Sequence, residues 1–211
     1  MIKLSPSKLN LFLECQLCFW LREKLDVERP SSPFSTLPSG MDLALKKYYD
    51  QYRGSLPPEL KEKVSGILLS DKALIKRFRD WRTFFFDEKD ARLYGALDEC
   101  LIDGDYLIPL DFKTRGFDLK EDSTSYYQNQ LDCYALMLEK NSYKQPGYAY
   151  LVYYIPVAVR EEGKVDFKVQ VEKLSTHPEQ AYKTFRAAIG LLKGEKPGCN
   201  DKCEWCKYRK D

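Results

Sequence analysis

Apolar residues recur at Leu9, Leu13, Leu17 and Trp20, a spacing that lays them along one face of a helix. Ser5 stands where a capping side chain is wanted and Pro6 suits the first helical position, so the chain is expected to open on a helix. The run Arg29-Pro30-Ser31-Ser32-Pro33 ends that unit and begins a loop reaching Gly40. A second helix is expected over 41–52, broken by Gly54, Pro57 and Pro58. Helical turns are expected again over 72–86, where Ala73, Leu74, Phe78, Trp81 and Phe85 supply apolar contacts.

From Arg92 the texture becomes strand-like. Two runs, 97–102 and 106–112, flank Asp103-Gly104-Asp105, and Asp-Gly between apolar runs is a strong hairpin signal. A helix is expected over 125–139, with Tyr127, Leu131, Tyr134, Ala135 and Leu138 on one face. Strands are expected over 148–155 and 165–171, the second alternating cleanly through Val165, Phe167, Val169 and Val171. Thr176-His177-Pro178-Glu179 resembles a capping box opening a last helix to about Leu192. The order implies a mixed α/β domain with helices packed on a central sheet. One domain over 1–211 is expected: an N-terminal helix and loop (1–40), a helical region (41–90), a core (91–175), and a final helix with a Cys-rich tail (176–211).

Composition changes this picture little. The chain has 211 residues, 44% hydrophobic and 31% charged with both signs interspersed, enough for one well-cored domain. A net charge of +2 does not by itself argue for nucleic-acid binding. Residues 1–10 lack the apolar core and cleavage site of a signal peptide, and no run is long enough to span a membrane. A cytoplasmic location is the expectation, and there clustered cysteines read as metal ligands before disulfides.

The candidate chemistry lies on the hairpin. Asp98 falls near the start of one strand, and Asp111 and Lys113 near the end of its partner, sharing one face with Phe112 turned inward. The approach through Leu107, Ile108 and Leu110 is apolar, so the charges there are costly unless used. Asp98, Asp111 and the main-chain carbonyl of Phe112 form a hard oxygen set suited to Mg²⁺ or Mn²⁺. Such an ion activates water and offsets charge on a scissile phosphate, and Lys113 is placed to orient or deprotonate that water. On the Asp-x-Lys pattern alone, a surface hairpin with a solvated Asp–Lys pair is clearly the better reading.

Three ordered segments carry more weight: Gly95-Ala96-Leu97-Asp98, then 110–116 (LDFKTRG), then Gln130-Leu131-Asp132-Cys133-Tyr134. Together they resemble the PD-(D/E)XK nuclease superfamily, and within it the RecB-like branch that includes CRISPR-adaptation exonucleases. The resemblance implies a restriction-endonuclease-like core, metal binding by Asp98 and Asp111, catalysis by Lys113, and a Gln-x-x-x-Tyr motif at Gln130 and Tyr134. It implies DNA as partner and exonuclease action, with single-stranded ends a candidate substrate. The branch often carries a metal-binding His on the helix before the hairpin. No His stands there, and Asp42 is the nearest acidic replacement. The only histidine, His177, reads as a surface or capping residue. Asp132 and Cys133 have no assignable role, and Cys100 reads as a small core residue.

Five cysteines gather at the ends: Cys15 and Cys18, then Cys199, Cys203 and Cys206. Cys15-x-x-Cys18 with Cys203-x-x-Cys206 makes a four-thiolate zinc site. Alternatively one amino-terminal cysteine joins Cys199, Cys203 and Cys206 around a [4Fe–4S] cluster. The family resemblance favours the cluster, with Cys15 ahead of Cys18. Either centre ties the chain ends together and couples metal binding to folding. Arg115 and Lys120 are candidate phosphate contacts, and Tyr126 and Tyr127 candidate stacking partners for unpaired bases. A competing reading is a non-catalytic DNA-binding or protein-docking subunit; a small zinc-stabilised interaction protein is a third. The Asp98, Asp111 and Lys113 set favours the enzyme, because a pure binder has no need of it.

Overall fold

The computed structural model describes residues 1–30, 36–120 and 122–208. The loop expected after Arg29 therefore falls partly outside the described residues. The opening segment is a short strand β1 (Ile2–Leu4) followed by two helices, α1 (Pro6–Glu14) and α2 (Gln16–Leu25). Cys15 separates them in an extended conformation (φ −159°, ψ 107°), and its sulfur caps the second. The single helix expected from Leu9, Leu13, Leu17 and Trp20 is thus two, and Leu13 is exposed. The break turns both Cys15 and Cys18 inward.

Helix α3 (Leu37–Tyr49) starts earlier than expected and runs into a 3-10 turn, Asp50–Tyr52. Helix α4 is short (Lys72–Phe78), capped by Asp71. Beyond it the expected helix gives way to strands β3 (Phe85–Glu88) and β4 (Ala91–Tyr94). Phe85 and Phe86 are good strand formers, and β4 finds a parallel partner in β1, a non-local pairing no short window of sequence reveals. With strand β2 (Ile67–Leu68), β5 (Glu99–Asp103), β6 (Tyr106–Thr114), β7 (Tyr148–Val159) and β8 (Val165–Ser175), a five-stranded sheet forms in the order β2-β5-β6-β7-β8. It is mixed: β6 and β7 run parallel and the other pairs antiparallel. The hairpin turns at Gly104 (φ 56°), as Asp-Gly predicts.

The crossover from β6 to β7 runs through a 3-10 turn (Ser125–Tyr127) and α5 (Gln128–Lys140), which lies across the sheet with α1 and α6 (Pro178–Lys193) against it. The opposite face is covered by α3, so two apolar clusters sandwich the strands, one containing Leu131, Leu151 and Phe185, the other Tyr49, Phe112 and Val152. Phe167, Val169 and Val171 pack on the second cluster, as their alternation requires. The capping box does not form. Thr176 Oγ1 donates to Gln145 Oε1 at 3.2 Å, and His177 occupies the N-cap of α6 without a side-chain bond. A last short helix, α7 (Glu204–Tyr208), carries Cys206. The architecture is the mixed α/β, restriction-endonuclease-like arrangement expected.

Candidate active site and cysteine centre

Glu99 pairs with Leu110 in the antiparallel hairpin, so one step outward in each strand brings Asp98 beside Asp111. The Phe112 N–H confirms the approach by donating to Asp98 Oδ2 at 3.2 Å. Asp111 is 1% exposed. Burial, outweighing the attraction of Lys113, raises its carboxyl to about 7, with Asp98 adding to the rise. The Lys113 ammonium lies against Asp111 Oδ2, yet that oxygen is buried without a well-directed hydrogen bond. A buried carboxylate beside a second carboxylate is a hard oxygen donor pair suited to a divalent cation. The residues present therefore fit Mg²⁺ or Mn²⁺.

Helix α5 supplies the other wall. Gln130 Nε2 donates to Asp111 Oδ1 at 3.1 Å and to the Tyr134 hydroxyl at 2.8 Å, while Gln130 Oε1 accepts from Lys113 Nζ at 3.0 Å. Tyr134 in turn donates to the Ala96 carbonyl at 2.7 Å, tying the helix to the segment that delivers Asp98. Gly95 lets that segment lie close to α5: a Cβ there would come within 2.7 Å of Met137 Cε, the end of a flexible side chain, and 3.2 Å of Tyr134 Cε1. Tyr127 packs its ring 4.4 Å from Lys113 Nζ, so it holds the lysine, while Tyr126 is exposed. Arg115 is half-buried and Lys120 exposed in the segment after β6.

On the far side of the sheet, Asp42, Leu45, Lys46 and Tyr49 share one face of α3. Tyr49 packs its ring 4.6 Å from that of Phe112 and shares a hydrogen bond of 3.0 Å with the Tyr154 hydroxyl. This anchors the helix so that Lys46 reaches Asp98 Oδ1 at 2.9 Å and Asp42 Oδ2 at 2.8 Å. Asp42 is thereby brought to the site, joined to Asp98 through the lysine.

Sequence reasoning missed Lys46 and Glu99. Glu99 is fully buried, paired bidentately with Arg53 and at 3.0 Å with Arg79. Arg79 Nε also donates to the Asp98 carbonyl at 3.0 Å, so this network fixes the backbone at Asp98. The partners come from positions 53 and 79, and nothing in the local pattern around Glu99 announces them. Asp132 also gains a role: it accepts from the His177 N–H at 2.8 Å and from Gln128 Nε2 at 2.7 Å, joining α5 to the start of α6. Cys100 and Cys133 are buried core residues.

At the chain ends, the sulfurs of Cys15, Cys18, Cys203 and Cys206 all lie within 4.8 Å of one another, and all four residues are buried. Cys15 and Cys206 are 3.5 Å apart and Cys18 and Cys203 are 3.7 Å apart. Cys199 is exposed and stands outside the four, its sulfur 3.7 Å from the Cys206 carbonyl. Both amino-terminal cysteines thus belong to the group, in place of one of them with Cys199. Thiolates sharing one tetrahedral zinc at ~2.3 Å stand roughly 3.8 Å apart. Around a cubane cluster each thiolate bonds a different corner iron, which sets the sulfurs farther apart. Four sulfurs this close could hold a metal ion or a cluster. Arg29 lies beside it, donating to Cys203 Sγ at 3.6 Å and to Glu14 at 2.7 Å, and offsets thiolate charge.

The fold and the carboxylate–lysine site define a protein of the PD-(D/E)XK class. The family model described as PD-(D/E)XK nuclease superfamily matches residues 72–210, and the chain belongs to that superfamily. Among solved structures, SSO0001 is similar at 13% identity with a TM-score of 0.48, over 98% of this chain and 83% of that one. Comparison with curated proteins gives no match. Among the described residues no helix is long and apolar enough to cross a membrane.

Proposed function

We propose that this protein is a divalent-metal-dependent DNA nuclease of the RecB-like branch, acting as an exonuclease. The observation that carries the reading is the buried Asp111 carboxylate, beside Asp98 on the paired strand and held by Lys113 and Gln130. Asp98, Asp111 and the Phe112 carbonyl would hold Mg²⁺ or Mn²⁺, which supplies Lewis-acid stabilisation of the scissile phosphate. Lys113 holds or accepts a proton at the attacking water, and its ammonium form offsets charge on the phosphate. Gln130, with both amide hydrogens and its carbonyl committed, fixes Lys113 relative to Asp111. Tyr134 fixes Gln130. The Gln130/Tyr134 pair supports the RecB-like assignment.

A cleft of about 430 Å³ opens beside Gln130 and Tyr134, lined also by Ser5, Ser7, Asn10 and the exposed Trp81. Its aromatic and hydroxyl lining suits a single strand, with Trp81 offering a stacking face. Arg115, Lys120 and Tyr126 would extend the contact along the backbone. Cys15, Cys18, Cys203 and Cys206 would hold a structural zinc ion that closes almost the whole chain into one loop.

The test is incubation of purified protein with end-labelled single- and double-stranded DNA and Mg²⁺ or Mn²⁺. Mononucleotide release that vanishes in Asp111→Ala and Lys113→Ala, a loss of at least ~10²-fold, is expected. Well-folded protein that binds DNA and cuts none under either ion would overturn the nuclease in favour of a DNA-holding subunit.

A further inference from the structure

Asp98 has two carboxylate oxygens, and both are engaged by groups of this chain. Oδ2 accepts the Phe112 N–H at 3.2 Å, and Oδ1 meets the Lys46 ammonium at 2.9 Å. Lys46 also contacts Asp42 Oδ2 at 2.8 Å, one helical turn back on α3. These are not solvated surface contacts. The Lys46 side chain is 20% exposed and that of Asp98 17%. Water and salt screen such a pair less than an exposed one.

An ion bridging Asp98 and Asp111 needs an Asp98 oxygen, and Oδ1 is the one not committed to the backbone. An ammonium and a divalent ion cannot both contact that oxygen without strong mutual repulsion at short range. Asp42 is subject to the same competition. Its Oδ2 is held by the same ammonium, so that oxygen opens to an ion only as the lysine withdraws. Lys46 sits on a flexible four-carbon stem and can withdraw without moving α3, which Tyr49 anchors.

We propose that Lys46 is a resident cation of this site: it neutralises Asp42 and Asp98 in the metal-free protein, and it competes with the divalent ion for Asp98 Oδ1. The inference rests on the assignment of Asp98 and Asp111 as metal ligands. Lys46 then sets how much metal the site needs, because every binding event must displace it.

Calorimetric titration of Mn²⁺ into the full-length protein at fixed ionic strength tests this, comparing the wild type with Lys46→Met, Lys46→Gln and Asp111→Asn. Both Lys46 variants should bind Mn²⁺ about tenfold more tightly than the wild type. They should do so without cleavage being measured at all. Asp111→Asn should abolish the binding. Asp111-dependent binding of unchanged or weaker affinity in both Lys46 variants would overturn the role of Lys46 alone. Absence of Asp111-dependent binding in every protein, with circular dichroism showing native folds, would overturn the metal site and the proposal together.

Discussion

Lys113 Nζ donates to Gln130 Oε1 at 3.0 Å, a bond that joins the exit of β6 to the first turn of α5. Because the same amide also holds Asp111 Oδ1 and the Tyr134 hydroxyl, Gln130 couples the lysine to the carboxylate and both to the helix. Gln130→Leu keeps the bulk and removes all three bonds. Cleavage should fall by about 10²-fold, the size expected when a reacting group loses its orientation. The melting temperature should change much less than in a core truncation. Single-turnover rates alongside thermal melts check this, and a wild-type rate would remove Gln130 from the machinery.

Asp111 makes the metal-free protein sensitive to pH. Its carboxyl titrates at about 7 in the fold against an ordinary 3.8, so folding takes up a proton between those values. A group raised in this way contributes most below about pH 4, and its contribution is lost as pH rises through 7. Asp111→Asn should therefore raise the melting temperature of chelator-treated protein at pH 8, on the order of 2–4 °C per kcal/mol gained. The advantage should shrink towards pH 4. Equal melting temperatures at pH 8 would contradict the burial cost.

Cys203→Ser should release the bound metal and lower the melting temperature sharply, since the four-sulfur centre joins residues 15 and 206. Cys199→Ser should leave both unchanged, because Cys199 lies outside the group. Elemental analysis of the two variants decides the matter. Zinc is expected at one ion per chain; iron, with loss of metal in Cys199→Ser, would support the four-iron cluster instead.

Glu99→Gln leaves Arg53 and Arg79 with only the half-exposed Asp50 as counter-charge, so the loss should fall towards the low end of the range for a broken buried pair. Breaking a buried pair from one side costs roughly 3–5 kcal/mol. Urea unfolding should show a loss of that order, and because Arg79 also holds the Asp98 carbonyl, metal affinity should fall with it. A variant as stable as the wild type would mean that the network is solvated.

Much of the core was legible along the chain. The hairpin about Gly104, the apolar face of α5 and the alternation of β8 are local patterns, and each appears within a few residues of its expected bounds. The candidate residues Asp98, Asp111, Lys113, Gln130 and Tyr134 stand in order along the chain, and the fold gathers them where the β5–β6 hairpin meets α5. The stretch after α4 departs from the expected helix: Phe85 fits either period, and the chain there folds back as β3 on β4, with β4 also pairing with β1 some ninety residues away. The opening helix is two rather than one because Cys15 takes an extended conformation, although Leu13 and Leu17 keep helical spacing across the break.

By itself, then, the sequence determined what local chemistry can encode: which residues alternate or recur, where the chain turns, and which acids and lysine stand on one strand face. Tertiary structure decided the rest. It put Lys46 between Asp42 and Asp98, buried Glu99 under two arginines, and chose Cys15 and Cys18 over Cys199 as neighbours of Cys203 and Cys206. Those contacts join residues far apart in the chain. They depend on how helices dock on the sheet, and the packing that docks them is a property of the whole domain rather than of any short segment.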